Sequence, residues 1–138
     1  MNKIATSILI SSICVSALSA NPFLDNLIIN SESVEIKKDS SQVIFLHDVE
    51  IKTGFLTIKA DTALYDNIKK IVSLKGTPSL IKSTSEEQNF NGNAEKIIFY
   101  INIKVHLLGN ATMDYENIKI SSNSIIINPQ NGAVSSDD

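Results

Sequence analysis

Apolar and polar residues alternate along most of this chain, and at four matching places the alternation loses step. The clearest stretch is residues 90–113, FNGNAEKIIFYINIKVHLLGNATM. Apolar or small residues stand at 90, 92 and 94, then at 97 and 99, and the run continues through Ile101, Ile103, Val105 and Leu107 to Gly109-Asn110. A period of two places alternate side chains on opposite faces, so the stretch predicts half-buried strands rather than helix. Between positions 94 and 97, two residues occupy the place of one. A β-bulge or sharp bend does this, turning the strand while its apolar face stays inward.

The same frame, h-x-h-x-s-x-x-h-x-h with h mostly apolar and s small, occurs four times. Its copies are Leu27, Ile29, Ser31, Val34, Ile36; then Leu56, Ile58, Ala60, Ala63, Tyr65; then Phe90, Gly92, Ala94, Ile97, Phe99; then Ile118, Ile120, Ser122, Ile125, Ile127. The small positions 31, 60, 94 and 122 are spaced by 29, 34 and 28 residues, and the next residue is polar each time: Glu32, Asp61, Glu95 and Asn123. Repeats of this length mark stacked architectures, in which no unit can bury its apolar face alone. Four bends at matching places predict two facing sheets joined by strands that cross a corner.

Strand-like segments fall at 27–37, 42–52, 55–65, 71–75, 79–83, 89–105, 112–113, 117–128 and 133–135. Turn chemistry separates them, notably Thr53-Gly54, Asp66-Asn67, Gly76-Thr77-Pro78 and Pro129-Gln130-Asn131-Gly132. The expected fold is all-β: an open β-jelly roll, a twisted two-sheet stack of short antiparallel strands with four degenerate repeats.

Residues 1–20, MNKIATSILISSICVSALSA, have the form of a secretory signal peptide: a charged Lys3, an apolar run from Ile4 to Ala17, and Leu18-Ser19-Ala20 as cleavage site. The apolar run is shorter than the roughly 20 residues a membrane-spanning helix needs. Cleavage leaves residues 21–138 as one domain, large enough for a core. It removes Cys14, the only cysteine, so the remainder is held by apolar burial and sheet hydrogen bonds without disulfides. With Lys3 gone, 11 of the 12 basic residues face 15 acidic ones, a net of −4, and none is arginine. An acidic chain without a basic stripe in its sequence argues against nucleic acid as partner.

No catalytic constellation stands out. His47 and His106 are not spaced as metal ligands, the acidic residues are scattered over bends and turns, and there is no nucleophile elbow or phosphate loop. The expectation is a protein with no catalytic residues, no metal and no cofactor. What remains is an excess of apolar inward positions. In sequence they fit the filling of a core better than the lining of an apolar groove between incompletely closed sheets.

One resemblance bears on that choice. VIFLHDVEI at 43–51, LTIKAD at 56–61, LKGTP at 74–78 and LLGNA at 107–111, in that order, resemble the LptA/OstA-type periplasmic lipopolysaccharide-transport proteins. The resemblance covers residues 27–128, with His47 standing where the family's pattern has a first glycine and without a basic C-terminal tail. It implies an open β-jelly roll in the periplasm that holds lipid A acyl chains between its sheets and performs no catalysis. It further implies two partners besides lipopolysaccharide, an inner-membrane-anchored jelly roll and an outer-membrane assembly protein, while a stack with an open strand at each end predicts further copies of the chain joined head to tail. Both partners contain the same fold, so an anchored or outer-membrane homologue is the alternative within the family. A carbohydrate-binding or structural envelope sandwich is the alternative outside it, and the lack of tryptophan weighs against sugar binding.

On this reading the groove candidates are Leu27, Ile29, Val34, Ile36, Tyr65, Leu80, Ile97, Phe99, Ile101, Ile125 and Ile127. The open edges are expected at 27–36 and 118–128, with Leu27, Ile29, Ile118, Ile120 and Ile125 docking partner strands.

Overall fold

Branched and aromatic side chains at alternate positions favour extended backbone with one face buried. The computed structural model, described over residues 27–86 and 88–136, is accordingly all-β. The expected signal peptide, residues 1–20, lies outside the described residues. Nine strands follow one another: β1 Ile28–Asn30, β2 Ser33–Lys37, β3 Gln42–Thr53, β4 Leu56–Asp66, β5 Ile71–Thr84, β6 Asn89–Tyr100, β7 Lys104–Tyr115, β8 Ile118–Asn128 and β9 Ala133–Ser136. All pairings are antiparallel. From β3 to β9 each strand pairs with the next, while β1 and β2 both pair with β3.

The register shifts once in each long pair: between Leu46 and Val49, Lys59 and Thr62, Lys75 and Ser79, Asn93 and Lys96, and Leu108 and Ala111. These shifts form a crease that divides the sheet into two arms. The first arm runs from β2 through one half of each long strand to β9. The second runs from β1 through the other halves to the start of β8. Same-face residues of both arms, such as Phe45, Leu74 and Phe99 in the first and Ile51, Ile58 and Met113 in the second, are buried in a single cluster. Among the described residues no other element lies over that face, so each arm covers the other. The two facing layers are thus halves of one continuous sheet.

Each partner at the crease has its own way of bending. Strands β4 and β6 turn at Ala60-Asp61 and Ala94-Glu95, where a small buried residue leaves room for the arms to meet. Their neighbours in the sheet turn on left-handed residues, His47 and Asp48 in β3 and Gly109 and Asn110 in β7, or on Gly76 and the cis Thr77-Pro78 bond in β5. Neighbouring bends are bonded together. Thr77 Oγ1 donates to Asp61 (3.3 Å), and Asn110 Nδ2 donates to Glu95 (2.6 Å). Gly109 has φ +87°, and a Cβ there would lie 2.6 Å from the Glu95 carboxylate, so this position needs glycine.

Several expected boundaries move. Residues 27–37 form two short strands, split at Ser31-Glu32 where the first frame copy bends. Gly76–Pro78 and Gly109-Asn110 are corners inside strands rather than breaks between them. The run expected to be continuous over 89–105 contains a tight turn at 101–103. Asn102 takes a left-handed conformation there and the Ile103 N–H donates to the Tyr100 carbonyl (2.9 Å), although the isoleucines on either side preserve the alternation.

Candidate functional site

Antiparallel pairing puts directly opposed residues on the same face, so the register defines apolar rows crossing the whole sheet. In the second arm, Ile29, Ile51, Ile58, Ile81, Gly92, Met113 and Ile120 oppose one another in turn. In the first arm a row begins at Ile36 and Val43, passes Phe99, and ends at Ile127 and Val134. The interior is one apolar strip from the β1/β2 end to the β8/β9 end.

Along the middle that strip is filled. Ile97, Phe99, Ile125 and Ile127 are fully buried, and Tyr65 and Ile101 pack half-buried against them. At the ends it opens. Val34 and Ile36 lie opposite buried Phe45 and half-buried Val43, so they are on the inner face, yet they are 47% and 44% exposed. The cause is local: β2 is the last strand of its arm, and β1 opposite it has only three residues. Leu27 and Ile29 are half-buried beside them. At the other end Ile118 is exposed and Ile120 half-buried.

Two expected positions are corrected. Leu80 is not on the inner face. The corner at Gly76–Pro78 shifts the parity of β5, so Ser79 and Ile81 point inward and Leu80 stands exposed outside, opposite Lys59 and Asn93. Ile125 is not at an edge. Strand β9 pairs with residues 125–128 of β8, and Ile125 lies between Leu107 and Ser136. The open part of β8 is residues 118–122, along whose outer side no strand lies among the described residues. Beside it is an open polar hollow lined by Asn110, Ala111, Thr112, Ser121, Ser122, Asn123 and Ser136. The outer edges of β1 and β2 are open in the same sense.

The histidines stand apart from the interior. His47 forms the β3 bend, and His106 lies on the outer face, its Nε2 2.7 Å from Ser124 Oγ. Among the described residues no group of three His, Cys, Asp or Glu side chains is placed to hold a metal ion. One grouping escaped the sequence entirely: Lys37, Lys38, Lys69, Lys70 and Lys104, far apart in the chain, lie along the rim of the first arm, at the turns between its strands.

Comparison with known proteins gives a family match and matches among solved structures. The family model described as "LptA/(LptD N-terminal domain) LPS transport protein" matches residues 28–133. Among solved structures, LptH of Pseudomonas aeruginosa, described as the LptA-homologous periplasmic component of the conserved lipopolysaccharide transport device, superposes with a TM-score of 0.75 at 15% sequence identity, over 84% of this chain and 85% of that one. No curated protein matches the chain in sequence.

Proposed function

The chain belongs to the family of LptA and LptD N-terminal-domain LPS transport proteins, and from that premise we propose that it is a non-enzymatic periplasmic carrier that holds the acyl chains of lipopolysaccharide between its arms. The observation that carries this reading is the apolar strip itself, which reaches exposed Val34 and Ile36 at one end of the sheet and exposed Ile118 at the other. Each methylene withdrawn from water is worth about 0.8 kcal/mol. A chain of about a dozen methylenes therefore costs roughly 10 kcal/mol to expose, and a lipid with several such chains needs an escort across water. Acyl chains entering at Ile36 replace contacts between the two arms with contacts of the same chemistry, and the crease lets the arms part without breaking a strand.

The same reading gives the edges their role. The open sides of β1 and β2, and the open 118–122 segment of β8, offer unpaired backbone groups to another strand. We propose that the chain uses them to join an inner-membrane-anchored jelly roll, an outer-membrane assembly protein or further copies head to tail, a contact that propagates rather than closes. A photo-crosslinking residue at Ile36 tests the lipid part. It should capture lipopolysaccharide, whereas the same probe at Glu35, on the opposite face of the same strand, should capture several-fold less. Equal yields at the two positions reject the groove.

A further inference from the structure

Four turns of the first arm are bonded side by side into one rim. The Asn67 N–H donates to the Ser41 carbonyl (3.0 Å), the Ile101 N–H to the Lys70 carbonyl (3.1 Å), and the Gln130 side chain to the Asn102 carbonyl (3.3 Å). Within the rim the Lys70 N–H closes its own turn on the Asp66 carbonyl (2.9 Å). Two turns of this fixed surface carry large apolar tips: Ile68 is 73% exposed and Ile103 61% exposed. Around them stand Lys37, Lys38, Lys69, Lys70 and Lys104. The Lys104 ammonium lies 4.9 Å from the centroid of the Tyr100 ring, and Lys70 donates to Asn67 Oδ1 (3.0 Å).

The rim's acidic groups are Asp39 and Asp66, with Glu35 one row inward. Asp66 is engaged in its own turn, its Oδ1 accepting from the N–H groups of Ile68 and Lys69 (3.0 Å each). The opposite rim differs. It carries Glu86, Asp114 and Glu116 against Lys52, Lys82 and Lys119, and Lys119 is paired with Asp114 at 3.0 Å. So an acidic chain has one basic rim, and that rim bears two of its most exposed isoleucines.

Isoleucine tips among lysines match the chemistry of a bilayer surface: apolar side chains enter the boundary between headgroups and acyl chains, while ammonium groups stay at the anionic headgroups. A soluble phosphate would use the lysines and leave the isoleucines in water. We propose that this rim docks edge-on to anionic lipid bilayers, with Ile68 and Ile103 entering the headgroup layer. The docking is independent of what the interior holds, so the carrier reading and this one fail separately.

The test is flotation of the purified protein with vesicles. Vesicles of phosphatidylcholine with about one-third phosphatidylglycerol should bind it, pure phosphatidylcholine should not, and salt near 0.5 M should weaken the binding by screening. Lys69→Glu, Lys70→Glu and Lys104→Glu together should weaken it by well over tenfold, since each lysine near an anionic surface contributes roughly fivefold. Ile68→Ser with Ile103→Ser should remove the binding that survives salt. Ile68, Lys69, Lys70 and Ile103 are exposed and Lys104 is half-buried, and an unchanged thermal midpoint verifies folding. Lys82→Glu, on the opposite rim, should change nothing. Equal binding to neutral vesicles, equal loss from Lys82→Glu, or full displacement by millimolar inorganic phosphate overturns the proposal. So does a rim that floats with no vesicle but captures an acidic polypeptide, which would assign it to a protein partner.

Discussion

Ile97→Ala and Ile36→Ala remove the same atoms from the same face of the sheet, and the structure gives them very different costs. Ile97 is 0% exposed and lies between Leu74 and Leu107 on the adjacent strands. Truncation takes away three carbons at about 0.8 kcal/mol each and leaves a closed cavity, so the expected loss is about 2–5 kcal/mol. That is a large share of the roughly 5–15 kcal/mol that holds a domain together. Ile36 is 44% exposed and opposes only Val43. About half of its transfer term was never gained and its cavity is open to water, so its truncation costs about 1 kcal/mol. Urea unfolding followed by far-ultraviolet circular dichroism measures both, the chain having no tryptophan for fluorescence. The midpoints should separate clearly at a shared slope, with Ile97→Ala far the lower. Lipopolysaccharide capture should fall in Ile36→Ala despite its near-native stability. Losses that are equal, or an Ile97→Ala loss under 1 kcal/mol, would mean that the middle of the interior is not packed, and the division into a filled middle and open ends would be wrong.

Gly109→Ala should cost about 1–3 kcal/mol by thermal unfolding, since a side chain must adopt a left-handed backbone against Glu95; a change within 0.5 kcal/mol refutes the crease geometry. Along an edge strand alternate N–H groups point outward, so of Ser121→Pro and Ser122→Pro one should remove a docking donor and the other a bond to β7. Light scattering should show one variant folded but unable to assemble; if both assemble like the parent, residues 118–122 are not the docking edge. N-terminal sequencing of envelope protein should begin near Asn21, and an intact Met1 would reject export with cleavage.

The bends were legible because parity is a conserved quantity along a strand: a face can be kept through a corner only by adding a residue, and that addition shows in the sequence. The frames at 60–63, 94–97 and 122–125 fall where the register shifts. The returning strands were harder. Their corners use left-handed residues at His47-Asp48 and Gly109-Asn110, a signal that also marks the end of a strand, and only the pairing partner tells the two apart. Leu80 was misplaced for the same reason, since its face depends on whether Gly76–Pro78 ends a strand or bends one. The turn at 101–103 has neither glycine nor proline, and the alternation runs through it undisturbed. The polar residue after each small one did show in the sequence, but its purpose did not: Asp61 and Glu95 accept from Thr77 and Asn110, 16 and 15 residues away.

The crease also explains why the two candidate surfaces differ so much in legibility. Folding every long strand at its middle sends inner-face residues to the core and the hairpin turns to two rims. A residue's inner or outer face follows from its own strand's parity, so the apolar strip is readable locally. Which rim a turn joins depends on how many bends precede it. Lys37, Lys38, Lys69, Lys70 and Lys104 share a rim because the turns at 38–41, 67–70 and 101–103 are each separated by two strands and two bends. The turns that fall between these in the chain, such as 53–55, lie on the other side. In the linear sequence the lysines are therefore interleaved with the acidic turns, and their charges average away. A uniform acidic balance was the expected result of composition, and a basic rim is what the same residues make once the strands run back and forth across a common crease.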